Sequence, residues 1–190
     1  MKALIVIDMQ EDFVNGVLGT PEAQAIVPNV VDKMMAYENT DSIILFTKDT
    51  HYEDYGETQE GKKLPVPHCI EGTDGWSIVR EIHNEFKKGN YVKYSSDKII
   101  NSRILKETFG SVDLANLLVD FPTGTFESIE LCGVCTDICV IANAVLIKTL
   151  LPEVPMIVDA SCCAGVTPEK HKAALEVMKS LQIEVIGEDK

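Results

Sequence analysis

The run Gly133-Val134-Cys135-Thr136-Asp137-Ile138-Cys139-Val140 passes from an apolar segment into a helical pattern. With Thr136 as the cap, Cys139 falls in the first helical turn. There the helix dipole and unpaired backbone N–H groups favour a thiolate, and the same N–H groups can hold an oxyanion made from an attacked carbonyl. A nucleophilic thiol also needs a base and a positive neighbour. Asp8 ends the apolar run 4–7, where a charge is costly unless it is paired. Lys106 stands just before a turn in Leu105-Lys106-Glu107-Thr108-Phe109-Gly110-Ser111, and Lys98, after another candidate strand, competes for the same role. Each has a plainer reading: Cys139 as a buried small hydrophobe, Asp8 as a turn or capping residue, Lys106 as a solvated surface charge.

A second constellation is made of donors. Asp49, His51 and His68 offer one carboxylate and two imidazoles, a set that zinc, iron or manganese accepts with positions left for water and substrate. The chain has four histidines and places two of them in one polar stretch. A D-x-H pair is common by chance, so ordinary loop histidines are the plainer reading.

The elements that must position these residues are legible as short apolar runs at 4–7, 42–46, 128–132, 154–158 and 183–186. Most are continuously apolar, as strands buried on both faces of a parallel sheet are. Helical patterns lie between them, over 21–37 after Thr20-Pro21, over 137–149 after Thr136, and over 168–181 after Thr167-Pro168. The alternation gives an α/β class with right-handed crossovers. Residues 48–77 are rich in Gly, Pro, His and acid, and too long for an ordinary connection, so they read as a functional loop. Between 86 and 111 only 91–94 and 103–105 suggest strands. Ligands of such sheets bind beyond the carboxyl ends of the strands, where Asp8, Asp49, His51 and the 133–139 segment all fall.

Length and composition narrow the function. At 190 residues the chain forms one domain. Hydrophobic residues make up 45% and charged residues 25%, which excludes disordered, collagen-like and coiled-coil chains. Lys and Arg number 17 against 30 Asp and Glu, a formal charge of -13. Such a surface repels phosphate backbones and anionic lipid, so neither nucleic acid nor membrane is expected as a partner. No apolar run spans a bilayer, and residues 1–7 lack the features of a signal peptide. The six cysteines are then expected as free thiols in a reducing, cytoplasmic compartment. Cys132, Cys162 and Cys163 read as packing residues.

Five motifs occur in order along the chain: Asp8-Met9-Gln10-Glu11-Asp12-Phe13; Asp49-x-His51; Pro67-His68-Cys69 with Glu71-Gly72-Thr73; Lys106-x-x-Phe109-Gly110-Ser111; and Gly133-Val134-Cys135-Thr136-Asp137-x-Cys139-Val140. Together they resemble the isochorismatase-like cysteine hydrolases, most closely the nicotinamidase branch, over nearly the whole chain. The resemblance implies a three-layer α/β/α fold around a mostly parallel sheet of about six strands. It implies a triad of Asp8, Lys106 and Cys139, an oxyanion hole from the N–H groups of Cys135 and Cys139, and a cis peptide between Val134 and Cys135. It also implies a divalent ion, zinc first with iron or manganese as alternatives, on Asp49, His51 and His68. Many relatives carry a further histidine where this chain has Glu57; another branch uses a glutamate that Glu60 matches with one residue between, and Glu60 is preferred as fourth ligand. Phe13, Leu18 and Phe109 match positions that wall the substrate ring. Pro65 stands where relatives often have an aromatic.

The implied activity is hydrolysis of nicotinamide to nicotinate and ammonia, in NAD salvage, by a homo-oligomer. Isochorismatase itself lacks the nucleophilic cysteine, so Cys139 argues for amide chemistry. Three alternatives compete: a metal-independent amidase on another small amide such as a carbamoyl or ureido compound, a metal- or thiol-binding α/β module without turnover, and a flavodoxin-like receiver. A receiver has fewer residues and no need of a thiol at a helix start.

Overall fold

In the computed structural model of the chain, which describes residues 1–86, 91–95, 98–101 and 103–188, the apolar run at the start becomes the middle of a six-stranded sheet. The elements follow as β1 (Lys2–Ile7), α1 (Glu11–Val14), α2 (Pro21–Ala25), α3 (Val27–Glu38), β2 (Ser42–Asp49), a 3-10 turn (Tyr55–Glu57), α4 (Gln59–Lys63) and α5 (Arg80–Phe86). Then come β3 (Tyr91–Ser95), β4 (Lys98–Asn101), β5 (Arg103–Lys106), α6 (Val112–Val119), β6 (Ser128–Val134), a π-turn (Thr136–Val140), α7 (Ile141–Leu150), β7 (Met156–Ala164), α8 (Pro168–Ser180) and β8 (Glu184–Ile186). The sheet order is β5-β2-β1-β6-β7-β8, parallel throughout. Helices α3 and α5 pack together, and α6, α7 and α8 form a second contiguous layer. The expected α/β/α layering is present. β3 and β4 form a separate antiparallel pair. No helix among the described residues is long and apolar enough to cross a membrane.

Several sequence expectations change in detail. The helix read over 21–37 is two helices, because Pro28 has no N–H for the Gln24 carbonyl and instead takes a place in the first turn of α3. The strand read at 154–158 begins at Met156 and continues to Ala164, so Cys162 and Cys163 lie within β7 and not after it. Asp49 is the last residue of β2, not a loop residue. Helices α5 and α6 occupy stretches with no element expected. Glu130 and Asp159, acids buried in the sheet, are paired. Glu130 of β6 accepts from Tyr37 Oη at 2.6 Å and pairs with Lys33, whose ammonium also lies 2.8 Å from Asp159.

The strand order decides where chemistry can occur. From β1 the chain builds one way through β2 and β5 and the other way through β6, β7 and β8, so the topological switch point lies between β1 and β6. Asp49 is level with Lys106 across β2 and β5, and Ile7 is level with Gly133 across β1 and β6. The ends of four neighbouring strands therefore deliver Lys106, Asp49, Asp8 and the Cys135–Cys139 segment to one place. Gly133 permits the close approach of β6 to β1. Its φ is +116°, and a Cβ there would stand 2.1 Å from the Ile7 carbonyl oxygen.

This packing predicts that Gly133→Ala costs at least about 3 kcal/mol, combining left-side backbone strain with a backbone clash. In a chain of this size that lowers the melting temperature by about 10 °C. Gly124, with φ +81° and open space around it, is the control, where alanine meets strain alone. Thermal unfolding checks this; equal losses at the two positions would contradict the packing argument.

Candidate active site

Asp8 follows β1 directly, with φ +46°, and is completely buried. Thr47 of β2 donates its hydroxyl to Asp8 Oδ1 at 2.6 Å and accepts the Asp8 N–H at 3.2 Å. Asp8 Oδ2 lies 2.7 Å from Lys106 Nζ, an ion pair without full hydrogen-bond alignment. The same ammonium donates to Asp49 Oδ1 at 2.8 Å and to Cys139 Sγ at 3.5 Å. One cation thus touches two carboxylates and the thiol.

Charge balance sets the resting state. Burial pushes the Cys139 thiol well above its ordinary range, and the Asp8 carboxylate adds to this while Lys106 opposes it. Burial also raises Asp8, against the pull of Lys106. Lys106 is held well above its ordinary value: burial opposes its charge, and the surrounding negative groups overcome that. Burial thus opposes the thiolate that a helix start favours, and the thiol stands beside a carboxylate positioned to take its proton.

The turn carrying Cys139 also differs from expectation. Cys135, not Thr136, is the capping residue, while the Val134–Cys135 peptide is cis as the resemblance implies. The Cys135 carbonyl accepts from the N–H groups of Ile138 and Val140, both at 3.1 Å. An α-helical register would give that carbonyl to the Cys139 N–H; the π register passes over it. Asn143, one turn on and buried, donates to the Cys139 carbonyl at 2.8 Å and to the Phe109 carbonyl at 3.3 Å, and accepts from the Ser111 N–H at 2.9 Å. It ties the loop after Lys106 to the helix that carries the thiol.

The donor trio is built on the other oxygen of Asp49. Oδ2 lies 3.1 Å from His51 Nε2 and 3.5 Å from His68 Nε2, and the three candidate ligand atoms fall within 4.8 Å of one another. Burial would raise the Asp49 carboxyl, but the two imidazoles and Lys106 hold it well below the usual carboxylate range. His68 Nδ1 is 2.8 Å from the Val66 carbonyl, which turns Nε2 toward Asp49. Burial lowers His68, and Asp49 with the Val66 carbonyl raises it further than that. His51 Nε2 is buried without an aligned hydrogen-bond partner. An orphaned imidazole nitrogen facing a second imidazole and a carboxylate is the donor chemistry a divalent transition ion satisfies, so the residues fit such an ion. Glu60 Oε1 lies 3.7 Å from His51 and 3.8 Å from His68, whereas Glu57 is exposed on the 3-10 turn.

Several residues that hold this site carried no role in the sequence reading. Gln10 grips Asp49 by both backbone groups, accepting its N–H at 2.7 Å and donating to its carbonyl at 2.9 Å. Asp12 accepts the Cys69 N–H at 2.7 Å and so anchors the segment bearing His68. Tyr55 is buried with its ring 4.7 Å from His51 and 5.1 Å from His68. Gln10 and Asp12 belong to the motif that contains Asp8, and a buried amide or acid beside a functional residue was the available signal. Tyr55 and Thr47 had none.

The expected ring-walling residues separate. Phe13 is 9% exposed and its ring stands 5.4 Å from that of His68. Leu18 is half-buried against the core beyond α1. Phe109 is 48% exposed, and what it contributes to the site is the backbone carbonyl held by Asn143. Lys98 begins β4, with its side chain outside the described residues; Lys106 has the contacts. Cys139 is 6% exposed, so the site is closed around its reacting atoms. A cavity of about 700 Å³ lies elsewhere, lined by Lys48, Trp76, Arg80 and Arg103 among others, and includes none of the triad or trio.

Known proteins are similar to this chain along nearly their whole length. The Mycobacterium tuberculosis nicotinamidase/pyrazinamidase is 25% identical over 195 residues, spanning 98% of this chain and 98% of that one. A solved nicotinamidase from Bacillus subtilis superposes with a TM-score of 0.79 at 28% identity, covering 97% of this chain and 98% of that chain. A solved Pyrococcus horikoshii pyrazinamidase in complex with zinc gives 0.73 at 27% identity, with the same coverage. The isochorismatase domain model matches residues 2–189, which contain every strand end and every side chain of the site, and the chain belongs to that family.

Proposed function

We propose that this chain hydrolyses nicotinamide to nicotinate and ammonia through a thioester on Cys139, with a divalent ion, zinc first, held beside the thiol. Membership in the family and full-length likeness to nicotinamidases make it a hydrolase of amide bonds; the particular amide and the ion are the proposal. The observation that carries it is the Lys106 ammonium within 3.5 Å of Asp8, Asp49 and the Cys139 sulfur together.

Asp8 takes the thiol proton as the sulfur attacks the carboxamide carbon, and Lys106 stabilises the sulfur's developing charge. The N–H groups of Cys135 and Cys139 receive the oxyanion, each donor worth about 3–4 kcal/mol. The π register that passes over the Cys139 N–H supports this role. Asp8 then returns its proton to the leaving nitrogen, and ammonia departs. Asp8 next deprotonates water, which cleaves the thioester; the proton goes to the departing sulfur and nicotinate is left. One carboxylate acts as base, acid and base again. Asp49, His51 and His68 would hold the metal, with Glu60 the nearest further oxygen, and the ion would supply a coordination position for the pyridine nitrogen that orients the ring. Phe13, beside His68, is placed to flank that ring. Tyr55, beside both histidines, would supply an aromatic surface that Pro65 does not.

Cys139→Ala is expected to lower ammonia and nicotinate formation by at least about a thousandfold, while bound metal stays unchanged. Surviving turnover would remove Cys139 as nucleophile. His68→Ala is expected to lose the ion, as measured by elemental analysis of the purified protein, and to raise KM for nicotinamide more than it lowers kcat. Metal retained in that variant would contradict the trio. A wild-type protein with neither bound metal nor nicotinate formation would leave the amide chemistry to another small substrate.

A further inference from the structure

The triad does not explain why the turn bearing Cys139 is fastened from outside the sheet. Thr136, its first residue, is completely buried, and its hydroxyl lies 2.8 Å from Nδ1 of His171 in α8. Asp137 Oδ1 accepts the Val166 N–H at 2.9 Å, just before that helix. Gly165 closes the joint. A Cβ there would come within 2.8 Å of Asp137 Oδ1 and 2.9 Å of His171 Cβ. The approach of α8 to the turn is thus built to bring an imidazole onto one buried hydroxyl, three residues before the nucleophile.

We propose that His171 is a positioning residue for Cys139: its hydrogen bond to the Thr136 hydroxyl fixes the start of the nucleophile turn against α8. A threonine hydroxyl donates once, and neutral imidazole protonated on Nε2 offers Nδ1 as acceptor. Protonating the ring makes Nδ1 a donor. The buried hydroxyl then loses its acceptor and must rotate, at the cost of an unsatisfied group. Burial disfavours the imidazolium, as does Lys172 on α8. Asp137 of the turn and Glu188 beyond β8 favour it. The balance sets His171 below its ordinary value of 6.5. The lock is therefore closed at neutral pH and opens on the acid side.

The proposal deepens the amidase reading and relies on it only for the kinetic readout. Full-length His171→Ala, Thr136→Val, the double variant and His171→Asn are compared with wild type. The readouts are kcat and KM for nicotinamide between pH 5 and pH 9 (roughly the span over which imidazoles titrate), the iodoacetamide alkylation rate of the Cys139 peptide by mass spectrometry, and melting temperature. Each single removal is expected to lower kcat about tenfold with KM nearly unchanged, and the double variant to be no worse than either single one. His171→Asn, whose amide oxygen stands near the place of Nδ1, is expected to restore kcat within about threefold. It is also expected to remove the portion of the acid-side fall that His171 causes, while the alkylation rate moves in parallel in all variants. Additive losses, a change in melting temperature alone, or no rescue by asparagine would overturn the proposal. If wild type does not turn over nicotinamide, the nicotinamide reading fails separately. Alkylation then decides: a change shared by His171→Ala and Thr136→Val and reversed by asparagine sustains the lock, and an unchanged rate rejects it.

Discussion

A single buried ammonium organises this molecule. Lys106 is set between Asp8 and Asp49 at 2.7 and 2.8 Å, with the Cys139 sulfur at 3.5 Å. Buried ions cost several kcal/mol each in lost hydration, and only close, well-placed partners offset that. Remove the ammonium and two buried carboxylates are left beside a sulfur whose ionisation burial already opposes. Asp49 extends the constraint, giving Oδ1 to Lys106 and Oδ2 to the two imidazoles. The nucleophile and the donor trio are therefore not independent sites; one carboxylate belongs to both.

The sheet makes that cluster affordable in conformational terms. Lys106 and Asp49 end parallel strands, Asp8 directly follows one and the Cys139 turn leaves another, and the strand order sets those ends side by side around the switch point between β1 and β6. Hydrogen bonds from the second tier hold the remaining freedom. Thr47 fixes Asp8, Gln10 fixes the Asp49 backbone, Asp12 anchors the segment before β-pairing at His51, and Asn143 joins the Lys106 loop to the Cys139 helix. Charged side chains on rigid strand ends, oriented by neutral polar neighbours, are the arrangement that preorganised electrostatics requires.

Much of this was legible in the amino-acid order. Continuous apolar runs announced buried parallel strands, and the residues after them announced the site. Lys106 could be singled out only through its motif, since a lysine near a turn carries no burial signal of its own. What escaped was set by tertiary packing. Pro28 divides a helix whose hydrophobic period continues across it. β7 runs on through Ser161, Cys162 and Cys163, where composition suggested an ending. The π register at Thr136–Val140 has no mark in sequence, because it arises from how the turn leaves β6. Tyr55 reaches both histidines through the fold of the 48–77 loop.

The claim that Lys106 gathers a base and a nucleophile onto one reacting carbon is tested most directly by trapping the covalent species. Nicotinamide turnover is quenched with acid within milliseconds, the protein is digested, and each cysteine peptide is weighed. The account predicts a nicotinoyl group on the Cys139 peptide alone, absent when Lys106 is replaced by methionine in a folded protein. Steady turnover with no acylated peptide, or acylation of a different cysteine, would contradict it.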